Sequence, residues 1–419
     1  MQVSHTSLHQ LLKSRSKCAW NFINLDKMAT ISSRLSLMSE WQRSLSENDG
    51  VAWVNCRTIG EKTIEGELRS HGVNDLGTPE VTVSEGFTVS DVTKRKITVT
   101  CPEKNVSAQF VAPSSELESI HDKSIHSLDI SSGGALGVSA SSDGRLRIWE
   151  TSTGIVRREL EGHAGEVETC RFFPSGVVAL SGGLDTQLKI WSVEDGSCPV
   201  TLRGHKRGIQ DTAIVDKGRN VVSCSLDGSA RLWDCGQSQC LGVIGQGSDA
   251  INGCSVAPVC DGVGLGTPEN PSSDREVGTD DKLLLLAREG GSLEGYGLKS
   301  RQKVFNVSGS SPFNCCTFLS SQTWAGGADD GNIYLIDVRN TSEPQSVIHQ
   351  SASPVKCIMG YQDGFIAGTN DGGCFYFNLR TGYLQEFTGS DFDPIYSMGL
   401  HQNHLYTACR DHVVRKYNL

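Results

Sequence analysis

One stretch decides how this sequence folds: Gly162–Trp191 reads GHAGEVETCRFFPSGVVALSGGLDTQLKIW. It contains three short runs of alternating or apolar residues, and Pro, Gly and Asp residues separate these runs. Runs of this kind, bounded by turn-forming residues, are typical of short β-strands joined by tight turns. Near the end of the stretch, Asp185 precedes Trp191 by six residues. That spacing is a pattern that can be searched for elsewhere in the chain.

The same spacing recurs from the middle of the chain to its end. Six units have an Asp six residues before a large closing residue, and in one further unit Gly290 stands six residues before Tyr296. The closing residues are separated by 42, 42, 63, 40, 41 and 40 residues, and repeats of about 40–45 residues are typical of WD-type propeller blades. The spacing therefore predicts an all-β fold, a seven-bladed WD-repeat β-propeller with one insertion. The seven closing residues are Trp149, Trp191, Trp233, Tyr296, Ile336, Phe377 and Tyr417.

Polar residues at fixed positions strengthen the resemblance to WD repeats. Leu160–His163 and Leu202–His205 end in Gly-His, and the third unit ends in Trp233-Asp234. The resemblance implies that a His, a Ser, an Asp and a Trp form hydrogen bonds inside each of the first three blades. We interpret these sets as structural and not catalytic, because buried polar groups left unpaired would be costly. The matching residues are His121, Ser139, Asp143 and Trp149; His163, Ser181, Asp185 and Trp191; and His205, Ser223, Asp227 and Trp233.

The spacing also divides the chain into segments. The propeller is predicted over residues 114–419. Because the sequence stops after the third strand of the last unit, Ser114–Ile120 is predicted to supply the missing outer strand. Residues 38–113 are predicted to form a small, mainly β N-terminal accessory domain, preceded by an unstructured extension over residues 1–37. Residues 257–281, rich in Asp and Glu, are predicted to be a solvated acidic loop inserted in the fourth unit.

Composition excludes several classes of function. The formal net charge is −10, which disfavours nucleic-acid binding because that binding rests on Lys and Arg neutralising phosphates. No apolar run approaches the ~18 residues of a membrane-spanning helix, so no membrane partner is expected. The 15 cysteines lack the clustered spacing of a zinc site. They are interpreted as reduced core residues of a cytoplasmic protein, with the nucleus as a second location.

Catalytic motifs are also missing from the sequence. It contains no phosphate-binding G-x-x-x-x-G-K-[ST] loop, no H-E-x-x-H and no G-x-S-x-G elbow. We therefore expect a protein-binding scaffold and not an enzyme, without catalytic residues, metal or cofactor, and acting as a monomer.

Longer matches point to one family of propellers. Glu85–Val89, Arg171–Gly176, Ala230–Cys235 and Phe313–Leu319 are similar to segments of the proteasomal ATPase-associated factor family, and the resemblance runs from about residue 38 to the end of the chain. It implies binding to the ATPase subunits of the proteasome regulatory particle. It further implies a role as assembly chaperone of the ATPase base and as negative regulator of its association with the proteolytic core.

An alternative function rests on a shorter match. Ile336–Arg339 resembles the Trp-Asp-x-Arg motif that substrate receptors of cullin-type ubiquitin ligases carry at the end of a blade, except that Ile336 replaces Trp. A receptor of this kind remains the alternative to the proteasomal role.

Contact residues are expected on one rim of the propeller. The loops leading into each first strand and the turns between second and third strands share this rim, where acids would suit basic side chains of an ATPase domain. Phe392 is the aromatic anchor candidate, because interface hot spots favour aromatic residues. The predicted contact residues are Glu166, Asp211, Asp249, Asp391, Phe392 and Asp393.

Overall fold

A computed structural model describes residues 28–30, 33–58, 60–260, 262–268 and 273–419. Nearly all regular structure in these ranges is β-strand, together with one short α-helix and one 3₁₀ turn. None of the described helices is long and apolar enough to cross a membrane. The predicted fold class is confirmed: WD-type blades follow a mainly β N-terminal region.

The N-terminal region contains the helix and the first eight strands. Strands two to five form an antiparallel sheet in sequential order, and the helix packs on it through buried Trp41 and Leu45. In the third strand Ala52, Val54 and Cys56 are buried because alternate side chains point to one face of a sheet. The elements are β1 (Met28–Thr30), β2 (Ser33–Leu37), α1 (Trp41–Leu45), β3 (Asn48–Thr58), β4 (Ile64–Val73), β5 (Pro79–Val83), β6 (Thr88–Ser90), β7 (Lys96–Cys101), a 3₁₀ turn (Pro102–Lys104) and β8 (Val106–Val111).

After β9 (Ser115–Leu117), the first three blades follow as antiparallel four-stranded sheets in sequential order. The closing residues Trp149, Trp191 and Trp233 lie in the third strands and are almost fully buried. The strands are β10 (Ile125–Ile130), β11 (Leu136–Ser141), β12 (Leu146–Glu150) and β13 (Val156–Leu160); β14 (Val167–Phe172), β15 (Val178–Gly183), β16 (Gln187–Ser192) and β17 (Val200–Arg203); and β18 (Ile209–Val215), β19 (Asn220–Ser225), β20 (Ala230–Asp234) and β21 (Gln239–Ile244).

The remaining blades repeat this arrangement, and their closing residues again lie buried in the third strands. The strands are β22 (Ile251–Pro258), β23 (Lys282–Arg288), β24 (Ser292–Gly297) and β25 (Lys303–Ser308); β26 (Phe313–Phe318), β27 (Thr323–Ala328), β28 (Asn332–Asp337) and β29 (Ser346–His349); β30 (Val355–Tyr361), β31 (Gly364–Thr369), β32 (Cys374–Asn378) and β33 (Leu384–Phe387); and β34 (Ile395–His401), β35 (His404–Cys409) and β36 (Val414–Asn418).

The seventh blade is completed by the strand that precedes the first. β9 pairs antiparallel with β36, with Leu117 opposite Val414 and Ser115 opposite Lys416. The Ser114 amide and hydroxyl both donate to the Lys416 carbonyl, at 2.6 and 2.9 Å. The strand is shorter than the predicted Ser114–Ile120, but it joins the two ends of the ring as expected.

The N-terminal region is joined to the propeller by two parallel strand pairs. β8 extends blade six beyond β33, with Phe110 opposite Glu386, and β1 extends blade five beyond β29. The hydrophobic core is continuous across this junction, because side chains of β2, β3 and β7 share one cluster with those of blades five and six. The indole N–H of Trp41 also donates to Thr388 Oγ1 at 3.1 Å. Both pairs cover outer strands that would otherwise be open edges.

Two predicted segments differ from the structure. The extension over residues 1–37 was expected to be unstructured, but residues 28–30 and 33–37 form β1 and β2 because they pair with β29 and β3; residues 1–27 lie outside the described ranges. The insertion over 257–281 begins inside β22, and its last part packs on blade three. The Asn220 side chain accepts from the Val277 amide and donates to the Arg275 carbonyl, at 2.7 and 3.1 Å.

Candidate functional site

The His–Ser–Asp–Trp sets of blades two and three form the bonds that the resemblance implied. In blade two, His163 bonds Asp185 through Nδ1 at 2.9 Å and Ser181 through Nε2 at 2.8 Å. The indole N–H of Trp191 donates to the same hydroxyl at 2.8 Å. Blade three repeats these contacts with His205, Ser223, Asp227 and Trp233 at 2.7–2.9 Å.

The Asp of each complete set is already saturated with internal donors. Asp227 accepts from the amides of Lys206 and Ser229 and from the Ser229 hydroxyl. Burial raises the pKa of Asp227, but these hydrogen bonds outweigh it and hold the pKa at about 2. Such a carboxylate fixes the turn between strands, and it is not free to act as a base.

Blade one differs from the expectation that its set is complete. His121 bonds Ser139 at 2.7 Å and Trp149 donates to Ser139 at 3.1 Å. However, the buried Nδ1 of His121 has no hydrogen-bond partner in the described chain, and Asp143 accepts from the Arg145 amide instead. Arg147 donates to the carbonyl of Ile120, which ties the segment before His121 to β12. The bracing is therefore complete in two blades.

Blade four replaces the set with a buried ion cluster that the sequence analysis missed. The Glu294 carboxylate accepts from Arg288 Nε at 2.6 Å, Lys303 Nζ at 2.5 Å and the Tyr296 hydroxyl at 2.9 Å. Burial raises the pKa of Glu294. The hydrogen bonds and charges of Lys303 and Arg288 lower it by a larger amount, so the net shift of the pKa is downward. One signal was available: the first three units have Arg or Lys two residues before the closing Trp, whereas this unit has an acid.

Five of the six predicted contact residues lie in connections between blades. Glu166 precedes β14, Asp249 precedes β22, and the other three precede β34. In an antiparallel four-stranded blade these connections leave from the same end as the turn between the second and third strands, so they share one rim. This rim, formed by Glu166, Asp249, Asp391, Phe392 and Asp393, is called the acidic rim below.

Asp211 does not belong to the acidic rim. It lies inside the inner strand β18, which begins two residues earlier at Ile209, and it lines the central channel. Its carboxylate is bonded to Arg171 Nη2 and to the Cys254 amide, both at 3.0 Å. Asp211 therefore links blades two, three and four and is not a free surface acid.

The rim acids differ in how strongly they are held. Asp249 accepts from Arg288 Nη1 at 3.3 Å and from the Gly290 amide at 3.1 Å. Asp393 is bound by Arg410 Nε at 2.7 Å. Glu166 and Asp391 are exposed, and they are the rim acids most accessible to a basic partner.

Phe392 is held in solvent by a strained turn. Its side chain is 80% exposed, and both Asp391 and Phe392 have left-handed backbone, with φ of 37° and 65°. This conformation costs a bulky residue about 1–3 kcal/mol and persists only where surrounding contacts enforce it. Here the buried Ser390 hydroxyl donates to the Gly372 carbonyl, and the Asp393 amide donates to the Ser390 carbonyl at 2.8 Å.

The strained turn borders a groove between the N-terminal region and blades five and six. The groove has a volume of about 560 Å³, within the range of about 300–1,000 Å³ that is usual for ligand pockets. Trp53, Asn55 and Arg57 line it from one face of β3, and Phe392 lines it from the rim. Trp53 is 45% exposed, so two solvent-facing aromatic side chains flank one concave surface.

Comparison with known proteins fits the blade pattern. The family described as "WD domain, G-beta repeat" matches residues 115–150, 154–192 and 196–234. Proteasomal ATPase-associated factor 1 of Gallus gallus is 56% identical over 385 residues, which are 92% of this chain and 98% of that relative. The chain belongs to the proteasomal ATPase-associated factor 1 family. The Homo sapiens relative is 55% identical over the same length, and the probable member from Dictyostelium discoideum is 39% identical over 90% of this chain and 94% of its own.

In this member of the proteasomal ATPase-associated factor 1 family, the ligase-receptor motif is internally bonded. Ile336 is fully buried in the third strand of blade five. The Asp337 carboxylate accepts two hydrogen bonds from the Arg339 guanidinium, at 2.9 and 2.5 Å. The guanidinium of this motif is thus already paired within its own turn.

Acidification should destabilise this family member through His121. Burial, together with the Arg147 charge, lowers the pKa of His121 from 6.5 to about 4. Between these values the unfolded chain binds the extra proton, so stability falls as pH falls. From pH 7 to pH 5 this group should remove about 2 kcal/mol from the free energy of unfolding. Urea unfolding at pH 7 and pH 5 should show a smaller loss of unfolding free energy for His121→Gln than for the unaltered chain. Equal losses in the two proteins would show that His121 is not the cause.

Proposed function

We propose that this chain is a non-enzymatic scaffold that binds ATPase subunits of the proteasome regulatory particle. It acts as an assembly chaperone of the ATPase base and as a negative regulator of the association of that base with the proteolytic core. It works as a monomer in the cytoplasm and the nucleus. Membership of a family whose relatives are named for association with proteasomal ATPases supports the choice of partner.

The observation that carries the proposal is the exposed Phe392 in its strained turn. Strained backbone is enriched at functional sites, and an aromatic side chain fixed in solvent loses little entropy when a partner covers it. Phe392 stands beside the exposed carboxylate of Asp391 and faces a groove that also presents Trp53. A partner segment with an apolar side chain flanked by Lys or Arg matches this surface.

The proposed negative regulation follows from the size and rigidity of the propeller and the N-terminal region. The blades are closed into one ring, and the N-terminal region is fastened to blades five and six by strand pairing and a shared core. A rigid body of this size on an ATPase surface excludes any other protein from that surface. The scaffold therefore needs no chemistry of its own to delay contact between the ATPase base and the proteolytic core.

Binding to purified ATPase subunits tests this function. The chain should bind at least one of these subunits, and adding it should slow the joining of the ATPase base to the proteolytic core. Asp391→Asn removes one rim charge while keeping a residue that tolerates left-handed backbone. Because an exposed ion pair contributes about 0.2–1 kcal/mol, affinity at low salt should fall by up to about fivefold, with a weaker salt dependence.

Two outcomes distinguish a wrong partner from a wrong contact surface. If none of the ATPase subunits binds the chain, the proposed function is wrong. If binding occurs but Asp391→Asn has the same affinity and salt dependence as the unaltered chain, the partner is right and the acidic rim is not the contact surface. Asp195→Asn, on an exposed turn between the third and fourth strands of blade two, is the control for general loss of charge.

A further inference from the structure

Every blade has a bulge at the second residue of its inner strand. The pairing register between the first and second strands shifts at this residue in all blades, and bulges redirect side chains. The bulge residues all line the central channel, and we call them the bulge ring. Its members, from blade one to blade seven, are His126, Glu168, Gln210, Asn252, Asn314, Lys356 and Tyr396.

Two members show what a purely structural ring residue does. Asn252 donates to the Phe313 carbonyl of the next blade at 3.0 Å and to Glu289 at 2.7 Å. Asn314 likewise donates to the Val355 carbonyl at 3.1 Å and to an acid of its own blade at 3.2 Å. In these blades the bulge residue ties its blade to the next and satisfies its polar atoms.

His126 departs from this pattern. Its Nδ1 atom is buried and makes no hydrogen bond within the described chain. It forms an ion pair with Glu168 Oε2 of blade two at 3.4 Å, which is long for a charge-assisted hydrogen bond of about 2.7–2.9 Å. Tyr396 of blade seven packs against the imidazole in a T-shaped arrangement, with ring centroids 5.5 Å apart. The imidazole is thus held between blades one, two and seven, with its buried Nδ1 facing a carboxylate oxygen at a distance longer than a direct charge-assisted hydrogen bond.

A metal ion would explain this spacing. One ligand atom from each of His126, Glu166 and Glu168 lies within 4.8 Å of the other two. Zinc bonds of about 2.0–2.2 Å in a tetrahedron place neighbouring ligand atoms about 3.4 Å apart, which matches the separation of Nδ1 and the Glu168 oxygen. Glu166 lies on the exposed connection before β14 and can approach the ion by rotating its side chain, and water can supply the fourth ligand.

We propose that His126 Nδ1 and the carboxylates of Glu166 and Glu168 form a binding site for Zn²⁺ at the mouth of the central channel. One nitrogen and two carboxylate ligands suit a divalent transition metal better than Mg²⁺, which prefers an octahedral shell of oxygens. The ion would link blade one to blade two, as the amides of Asn252 and Asn314 link later blades. The sequence predicted no metal site, because its ligands lie two and forty residues apart in different blades. The site does not depend on the proposed function.

Zn²⁺ titration of the full chain by isothermal calorimetry tests the site. His126→Asn is the matched variant, since Asn occupies the same ring position in blades four and five and fits the fold there. The unaltered chain should bind one more Zn²⁺ than His126→Asn. Glu168→Gln keeps the shape of the side chain but weakens a direct ligand, so its affinity should fall by more than about tenfold, the lower limit for losing a supporting group around a metal.

Controls exclude zinc bound elsewhere. Glu289→Gln removes an acid beside ring residue Asn252, outside the proposed site, and should bind Zn²⁺ like the unaltered chain. Co²⁺ should give the visible absorption of a four-coordinate ion with the unaltered chain and not with His126→Asn. Equal Zn²⁺ binding by the unaltered chain and His126→Asn, or no Zn²⁺ bound by the unaltered chain, would overturn the proposal.

Discussion

Replacing residues 114–120 by a glycine–serine linker of equal length is expected to abolish the single cooperative unfolding transition of the propeller. These residues contain β9, which fills the outer position of blade seven. The linker keeps the chain continuous and its backbone amides, but it removes the buried side chains of Leu117 and Ile120, and flexible glycine disfavours the strand that pairs with β36. Without a stable β9, β36 is expected to become an open edge.

The size of the effect follows from what the segment buries. Leu117 and Ile120 are almost completely buried in the cluster between blades seven and one. Truncating one buried Leu or Ile costs about 2–5 kcal/mol, so losing both costs about 4–10 kcal/mol. Globular proteins have only about 5–15 kcal/mol of total stability. Opening the ring therefore removes a large part of the stability and exposes an edge that favours aggregation.

Thermal unfolding followed by circular dichroism and calorimetry measures this effect. The altered protein should unfold over a broad range or aggregate before a transition. A linker of the same composition in place of the exposed turn at residues 74–78 tests for damage by the linker itself and should leave the transition sharp. Leu117→Ala should lower the midpoint and keep cooperativity. A sharp transition in the 114–120 replacement would show that the ring does not depend on this closure.

The strands of the blades and their order could be predicted from the sequence because each strand pairs with its neighbours along the chain. Each closing residue, from Trp149 to Tyr417, occupies a third strand as the six-residue spacing predicted. Antiparallel strands joined by tight turns pair with their sequence neighbours, so a repeated turn signal identifies the strands and their order together. The ring closure was predictable for the same reason, since Ser115–Leu117 fills the strand position missing from the last repeat.

The junctions and the site could not be predicted in the same way. The parallel pairs of β8 with β33 and of β1 with β29 join segments about 275 or more residues apart, and no turn signal records them. Asp211 was placed on the rim because the sequence pattern did not show where strand β18 begins. The strand begins at Ile209, two residues before Asp211, so Asp211 lies inside it. The groove beside Phe392 arises only where Trp53 of β3 faces blade six, a contact that spacing within the repeats does not contain.

Phe392→Ala is expected to weaken binding to the ATPase subunit proposed as the partner by about 2 kcal/mol, or roughly 30-fold, the usual size of a hot-spot loss. Phe392 is 80% exposed in the free chain, so a partner can cover most of its ring. Its left-handed turn is fixed by Ser390 and Asp393, so the ring is positioned before binding. Affinity measured by surface-immobilised titration against each ATPase subunit gives the fold-change.

Two matched variants give this prediction its specificity. Tyr383→Ala removes an aromatic side chain that is 43% exposed at the turn between β32 and β33, on the opposite rim, and should leave the affinity unchanged. Phe392→Gly should weaken binding as Ala does, yet raise thermal stability, because glycine adopts a φ of 65° without strain. Weaker binding by a more stable protein cannot come from misfolding. Equal affinity of Phe392→Ala and the unaltered chain would show that the ATPase subunit binds without this aromatic anchor.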